Sequence, residues 1–264
     1  DIKDSRFVAH TFANDVVKEL TGQRGMFLTK LVVTRTTNPQ QKEIFIMDWD
    51  GQNSKQITFH KSISLSPAWS PDGKTIAYTQ FAFHPKERSR NADLFSYELN
   101  TGKRWLLSFQ KGINSGATFH PNGSEILFTL SSGGNPDIYR MNTEGKNLKR
   151  ITDGPKGSMN VEPSVSPDGK KIAFSSDRSG QPMVYIMNYD GSDPKRVTFA
   201  GDYNSTPRFS PDGTKLVFAG YDKGHFDLFL MNSDGTNMIR LTSAKKPSGK
   251  GANNEEPSFS PDGQ

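Results

Sequence analysis

"EPSVSPDGKKIAFSSDRSG" occupies residues 162–180, and residues 206–224 read "TPRFSPDGTKLVFAGYDKG". The phrase appears again as "SPAWSPDGKTIAYTQ" at 66–80, "GATFHPNGSEILFTL" at 116–130 and "EEPSFSPDGQ" at 255–264. Its turn glycines, Gly73, Gly123, Gly169, Gly213 and Gly263, stand 50, 46, 44 and 50 residues apart. Self-similarity at that period marks a repeat architecture. In each copy Pro presets φ for the first corner of a type I turn, and Asp, or Asn122 in one copy, suits the second. Gly then takes the left-handed position that closes a hairpin.

Three further strands follow the phrase in each unit. The second carries Ile126 and Phe128, Ile172 and Phe174, or Leu216 and Phe218. A Gly-containing loop leads to the third: "EIFIMD", "DIYRMN", "MVYIMN" or "DLFLMN". A second Gly turn precedes a fourth strand that ends in a hydroxyl, as in "KQITF", "KRITD", "KRVTF" and "IRLTS". In "DLFLMN", Leu228 and Leu230 point one way and Phe229 and Met231 the other, so this strand is apolar on both faces. A sheet covered on both faces sits between two others, which four-stranded sheets stacked around an axis provide. The sequence therefore predicts an all-β fold, a β-propeller of four-stranded antiparallel blades. Labelled A to D outward from the axis, the A–B and C–D hairpins share one end, and the B–C loops and D–A connections share the other. The hairpin end is nearly uniform. The other end varies in length and charge, which is where a partner is read.

Two segments depart from the repeat. In "RFVAHTFANDVVKELT" (6–21), Phe7 or Val8, Phe12, Val16 and Leu20 recur at helical spacing, and Gly22 supplies a C-cap. Residues 27–59 give strands B, C and D of a first blade that lacks its own strand A, while 255–264 give a lone strand A. That lone strand either closes the first blade into a five-bladed ring or opens a sixth blade. The division expected is a helix over 1–22 and the propeller over 23–264. The chain begins at Asp1, so a processed or truncated product is expected.

The 264 residues carry a net charge of +5 and a sequence pI near 9.2, with the basic residues scattered rather than massed, which gives no nucleic-acid footprint. There is no cysteine, which excludes disulfides, thiol catalysis and cysteine-ligated metals. No apolar run reaches the roughly 18 residues that suggest a membrane span. His10, His60, His84, His120 and His225 form no zinc-binding pair, and no nucleophile elbow or phosphate loop is present. His120 replaces Ser in a turn and reads as a turn residue. No cofactor and no catalytic activity are expected. Asp93, Asp137 and Asp227 each open a third strand and read as structural hydrogen-bond acceptors, with a ligand role as the alternative. The loops "FHPKERSRN" (83–91) and "SAKKPSGKGANNEE" (243–256) read as solvated, or as a charged rim that touches a partner.

The residues entering strand A face the channel mouth: Ile113, Asn114, Ser115 and Gly116; Asn160, Val161 and Glu162; Asn204, Ser205 and Thr206; Asn254, Glu255 and Glu256. They differ between blades and are mostly small or polar.

The helix and its exit, "AHTFANDVVKELTGQRGMFLTKLVV", together with "LSPAWSPDGKTIAY" and "NVEPSVSPDGKKIAFSSDRSGQPMVYIMN", resemble the TolB family of the Gram-negative Tol–Pal system. The resemblance is colinear over essentially the whole chain. It implies six blades, about five of them present here, and makes the helix the end of an α/β amino-terminal domain. It further implies a monomeric periplasmic scaffold, without enzymatic activity, that binds Pal at the channel mouth and supports outer-membrane integrity and cell division. TolA and colicin-like peptides are implied as additional partners, with neither nucleic-acid binding nor membrane insertion. The blade motif is shared with peptidase propellers. A peptidase specificity domain, or a peptide- or sugar-binding module, is therefore the alternative.

Overall fold

The computed structural model describes residues 2–23, 25–86, 88–243, 245 and 251–263. Among these residues a helix, α1 (Ile2–Thr21), precedes nineteen strands in five antiparallel sheets. The first sheet has three strands, β1 (Lys30–Asn38), β2 (Gln41–Asp48) and β3 (Lys55–Gln56). The other four follow the predicted A-to-D order. They are β4 (Ser64–Trp69) to β7 (Arg104–Ser108), β8 (Asn114–Phe119) to β11 (Lys149–Arg150), β12 (Asn160–Val165) to β15 (Lys195–Arg196), and β16 (Asn204–Phe209) to β19 (Ile239–Arg240). The outer strands β3, β11, β15 and β19 have two residues each, and β7 has five. The fold is a β-propeller, and the sheets are called blades 1 to 5 below.

Alternation along each B strand builds the core. Leu127 faces blade 4, where it meets Ile172 and Phe174, while Ile126 and Phe128 face blade 2, where they meet Ala77 and Leu94. Ala173 and Val184 likewise meet Leu216 and Phe218, and Ile44 meets Ile76 and Tyr78. Burying one such Phe contributes about 1.5–3 kcal/mol. Inner strands β4, β8, β12 and β16 contact one another in succession, and β1 and β2 contact β4. Among the described residues no comparable strand packing joins blade 5 to blade 1.

The turn glycines behave as read: φ is +67° at Gly73, +74° at Gly123, +73° at Gly169, +74° at Gly213 and +76° at Gly263. They share one end: the first two turns flank one groove, and each of the other three stacks on the turn before it. Gly169 lies against His120, Gly213 against Pro167 and Gly263 against Pro211. The terminal turn therefore sits on blade 5, in the place of a next inner strand. Among the described residues it pairs with no strand of blade 1.

Helix α1 ends as predicted, with Gly22 at φ +73° donating its N–H to the Lys18 carbonyl at 2.8 Å. It docks on blade 1 through its polar side. Buried Asn14 accepts the Phe27 N–H at 3.0 Å, and Arg6 pairs with Asp50 at 2.7 Å. The apolar stripe of Phe7, Val8, Phe12 and Leu20 faces outward. Among the described residues no helix is long and apolar enough to cross a membrane.

Candidate partner-binding face

In blades 3, 4 and 5 the D–A connection begins at a hydroxyl and ends at an asparagine, and both join the strand-C residue between them. In blade 3, Asp137 accepts from Thr152 Oγ1 at 2.7 Å and from Asn160 Nδ2 at 2.9 Å, and pairs with Arg150 at 2.7 Å. Asn160 Oδ1 in turn accepts from Ser176 and Arg178, at 2.9 and 2.7 Å. In blade 5, Asp227 accepts from Thr242 at 2.9 Å and Asn254 at 3.2 Å and pairs with Arg240. Burial opposes ionisation of Asp227, but the Arg240 and Thr242 hydrogen bonds outweigh it and lower its pKa. Blade 4 has Met183 at this position, and Asn204 Nδ2 and Thr198 Oγ1 meet its sulfur at 3.0 and 3.6 Å. In blade 2, Ser108 donates to Asn114 Oδ1 at 2.6 Å, and Asn114 donates to the Ala92 carbonyl at 2.9 Å. Asp93 there is held by His84 and Asn91, each at 2.7 Å. These are latches from one blade to the next, so Asn114, Asn160, Asn204 and Asn254 have their amides engaged within the protein. Among the described residues no three His, Asp or Glu side chains gather as a metal site.

Two residues beyond each latch position the inner strand bulges. Ser66, Glu162, Thr206 and Glu256 are left-handed, with φ between +50° and +58°, and Gly116 has φ +63°. Ladder pairing skips the bulge in β4, β8, β12 and β16. For a non-glycine residue this conformation costs about 1–2 kcal/mol. Recurrence in five units shows that the repeat imposes it. Around the bulges lies a polar cluster. Glu162 Oε2 accepts the Thr206 N–H at 2.8 Å and the Ser175 hydroxyl at 3.1 Å, and Glu256 stands 3.8 Å from Arg208. Burial raises the pKa of Glu162, and neighbouring Glu256 pushes it the same way.

The remaining predicted residues divide by exposure. Ile113, Glu255 and Glu256 are exposed, Ser115 and Val161 half-buried, and Ser205 and Thr206 buried. Of the loop cations, Lys246 and Lys250 lie outside the described residues. Lys86, Arg88 and Arg90 are exposed on the same end. Sequence reasoning missed an aromatic set one residue past the latch hydroxyl: Phe59, Phe109 and Phe199, exposed by 70, 59 and 76%. Lys61 and Lys111 follow the first two at equivalent positions. The signal was in the repeat itself, as "ITF", "LSF" and "VTF".

A family model described as TolB beta propeller domain matches residues 17–264. The Tol-Pal system protein TolB of Francisella tularensis subsp. mediasiatica (strain FSC147) is 36% identical over 156 residues, covering 56% of this chain and 34% of that protein. The aligned part thus spans about a third of that relative's length. The crystal structure of TolB from Acinetobacter baumannii matches with a TM-score of 0.82 at 31% identity, covering 97% of this chain and 62% of that one. A puromycin-hydrolyzing peptidase of Mycobacterium tuberculosis matches with a TM-score of 0.59 at 14% identity, covering 78% of this chain and 34% of that one. At that identity the likeness shows the fold alone.

Proposed function

The chain belongs to the TolB β-propeller domain family, and from that premise we propose that it is a non-enzymatic scaffold of the Tol–Pal system, acting in the periplasm. Its role is to hold Pal at the channel mouth and so support envelope integrity and cell division. TolA and colicin-like peptides are further partners in this reading, and the propeller is part of a six-bladed ring preceded by an amino-terminal domain. The observation that carries the reading is the row of left-handed bulge residues, Ser66, Gly116, Glu162, Thr206 and Glu256. One strained backbone geometry there carries Ser, Gly, Thr or, in two of the units, Glu. The exposed Phe59, Phe109 and Phe199 share this end with Lys61 and Lys111, and aromatic anchors beside charge are what interface centres use. The fold likeness to a peptidase gives a second reading, a specificity module, no residue-level support.

Calorimetric titration of the Pal globular domain onto the protein tests the reading. Saturable one-to-one binding is expected, weakened by about 1–3 kcal/mol in Phe109→Ser with Ile113→Ser. Lys170→Ala with Lys171→Ala, on the hairpin end, leaves it unchanged. Absence of binding, or loss only in the hairpin variant, refutes the assignment.

A further inference from the structure

The repeat makes the seams between blades comparable position by position on the hairpin end. Between blades 3 and 4 the seam is plugged. The His120 ring meets the Tyr189 ring edge-on at 4.6 Å, and the Arg140 guanidinium lies 5.2 Å above Tyr189. Glu125 fastens both, accepting from Tyr189 at 2.9 Å and pairing with Arg140 at 3.2 Å.

The seam between blades 2 and 3 holds Ser70, Ser96 and Thr143 at those three positions. Ser70 and His120 each precede the turn proline. Ser96 pairs with Ala77 as Arg140 pairs with Leu127. Thr143 donates its N–H to the Ser124 carbonyl as Tyr189 does to Lys170. Three small residues in place of an imidazole, a guanidinium and a phenol leave a groove of about 870 Å³. Trp105 and Phe119 form its walls, and Asp72, Glu98, Glu144 and Lys103 line it. Between blades 4 and 5, where Ile186 replaces Ser96, the equivalent cavity is only about 340 Å³.

We propose that the blade 2–3 groove binds a segment of a partner protein in which an aromatic and a basic side chain lie side by side. The internal plug one seam away has that chemistry, a ring stacked with a cation and fastened to a carboxylate. The open groove supplies the complement, aromatic walls for the ring and carboxylates for the cation. This site is on the end opposite the channel mouth, so it stands or falls independently of Pal binding.

The test is an NMR titration of the isotope-labelled protein with acetyl-Tyr-Arg-amide, following the Trp105 indole N–H, which donates to the Thr143 carbonyl at 3.4 Å. A saturating shift is expected at probe concentrations up to about 10 mM, the range for a ligand this small. Acetyl-Tyr-Glu-amide binds at least about fivefold more weakly because the carboxylates repel it. Thr143→Tyr, which installs the neighbouring plug residue, abolishes the shift. Glu98→Gln with Glu144→Gln, which keeps the shape, removes the preference for Arg over Glu. No shift with the Arg probe, equal shifts with both probes, or an unchanged titration in folded Thr143→Tyr overturns the proposal. Should Thr143→Tyr fail to fold, the carboxylate pair decides, and retained Arg preference there overturns it.

Discussion

Replacing Asp137 by Ala removes the acceptor at the centre of the latch between blades 3 and 4. Two buried donors lose their partner, Thr152 Oγ1 at 2.7 Å and Asn160 Nδ2 at 2.9 Å. Hydrogen bonds to a charged group contribute about 1.5–3 kcal/mol each. The Arg150 pair adds at most about 1 kcal/mol, because that guanidinium is half exposed. Thr152 keeps the Ile138 N–H at 3.1 Å, and Asn160 keeps two donors to its oxygen, so the lower end of the range applies. The expected loss is about 3–4 kcal/mol, a large share of the 5–15 kcal/mol typical of a domain. Blade 4 supplies the control, since Met183 does this work there with a weak sulfur acceptor. Asp137→Met should therefore cost less than Asp137→Ala, and Glu144→Ala, an exposed turn carboxylate, should stay within about 0.5 kcal/mol. Chemical denaturation followed by far-ultraviolet circular dichroism measures all three. A loss below about 1 kcal/mol for Asp137→Ala, or parity with Asp137→Met, refutes the latch as a source of stability.

Gly169→Ala should destabilise more than Gly123→Ala, although both glycines have φ near +74°. A Cβ at 169 meets His120 Nε2 at 2.5 Å, whereas one at 123 meets nothing within 4 Å. The shared left-handed strain is about 1–2 kcal/mol, so equal thermal shifts would mean that the His120 contact is soft. Burial, with Arg104 facing the ring, lowers the pKa of His60 from 6.5 to about 4. A histidine depressed on folding supports stability above its unfolded pKa and withdraws that support as pH falls. Unfolding free energy should thus decline between about pH 6.5 and pH 4 more steeply in the wild type than in His60→Gln. Parallel pH profiles would remove His60 from the acid response.

The hairpins were legible because they are local. Ser-Pro-Asp-Gly fixes its own φ angles within four residues, and the alternation of Leu127 with Ile126 and Phe128 states that both faces are covered. Contacts between repeats were not legible, because they join residues that no local pattern connects. Asn114, Asn160 and Asn204 looked like small polar residues at a mouth, and their burial follows from acceptors in the blade before them. His120 looked like a substituted turn residue, yet it packs on Gly169 and Tyr189, 49 and 69 positions downstream. The helix showed its apolar stripe correctly. That the polar side would dock was set by Asn14, Arg6 and blade 1, which periodicity does not reveal.

The latches also bear on how the molecule yields to force. Each one ties the outer part of a sheet to the inner strand of the next, so pulling on the chain ends loads them one after another. Detachment should proceed in discrete steps, each requiring one cluster of hydrogen bonds to rupture before a sheet can peel away. The sulfur of Met183 makes the boundary between blades 4 and 5 a weaker fastening than the Asp137 one between blades 3 and 4. An optical-tweezers trace in which that boundary outlasts the Asp137 one would contradict this ordering. On this view the substitution of a single strand-C residue sets where the propeller opens when it is pulled.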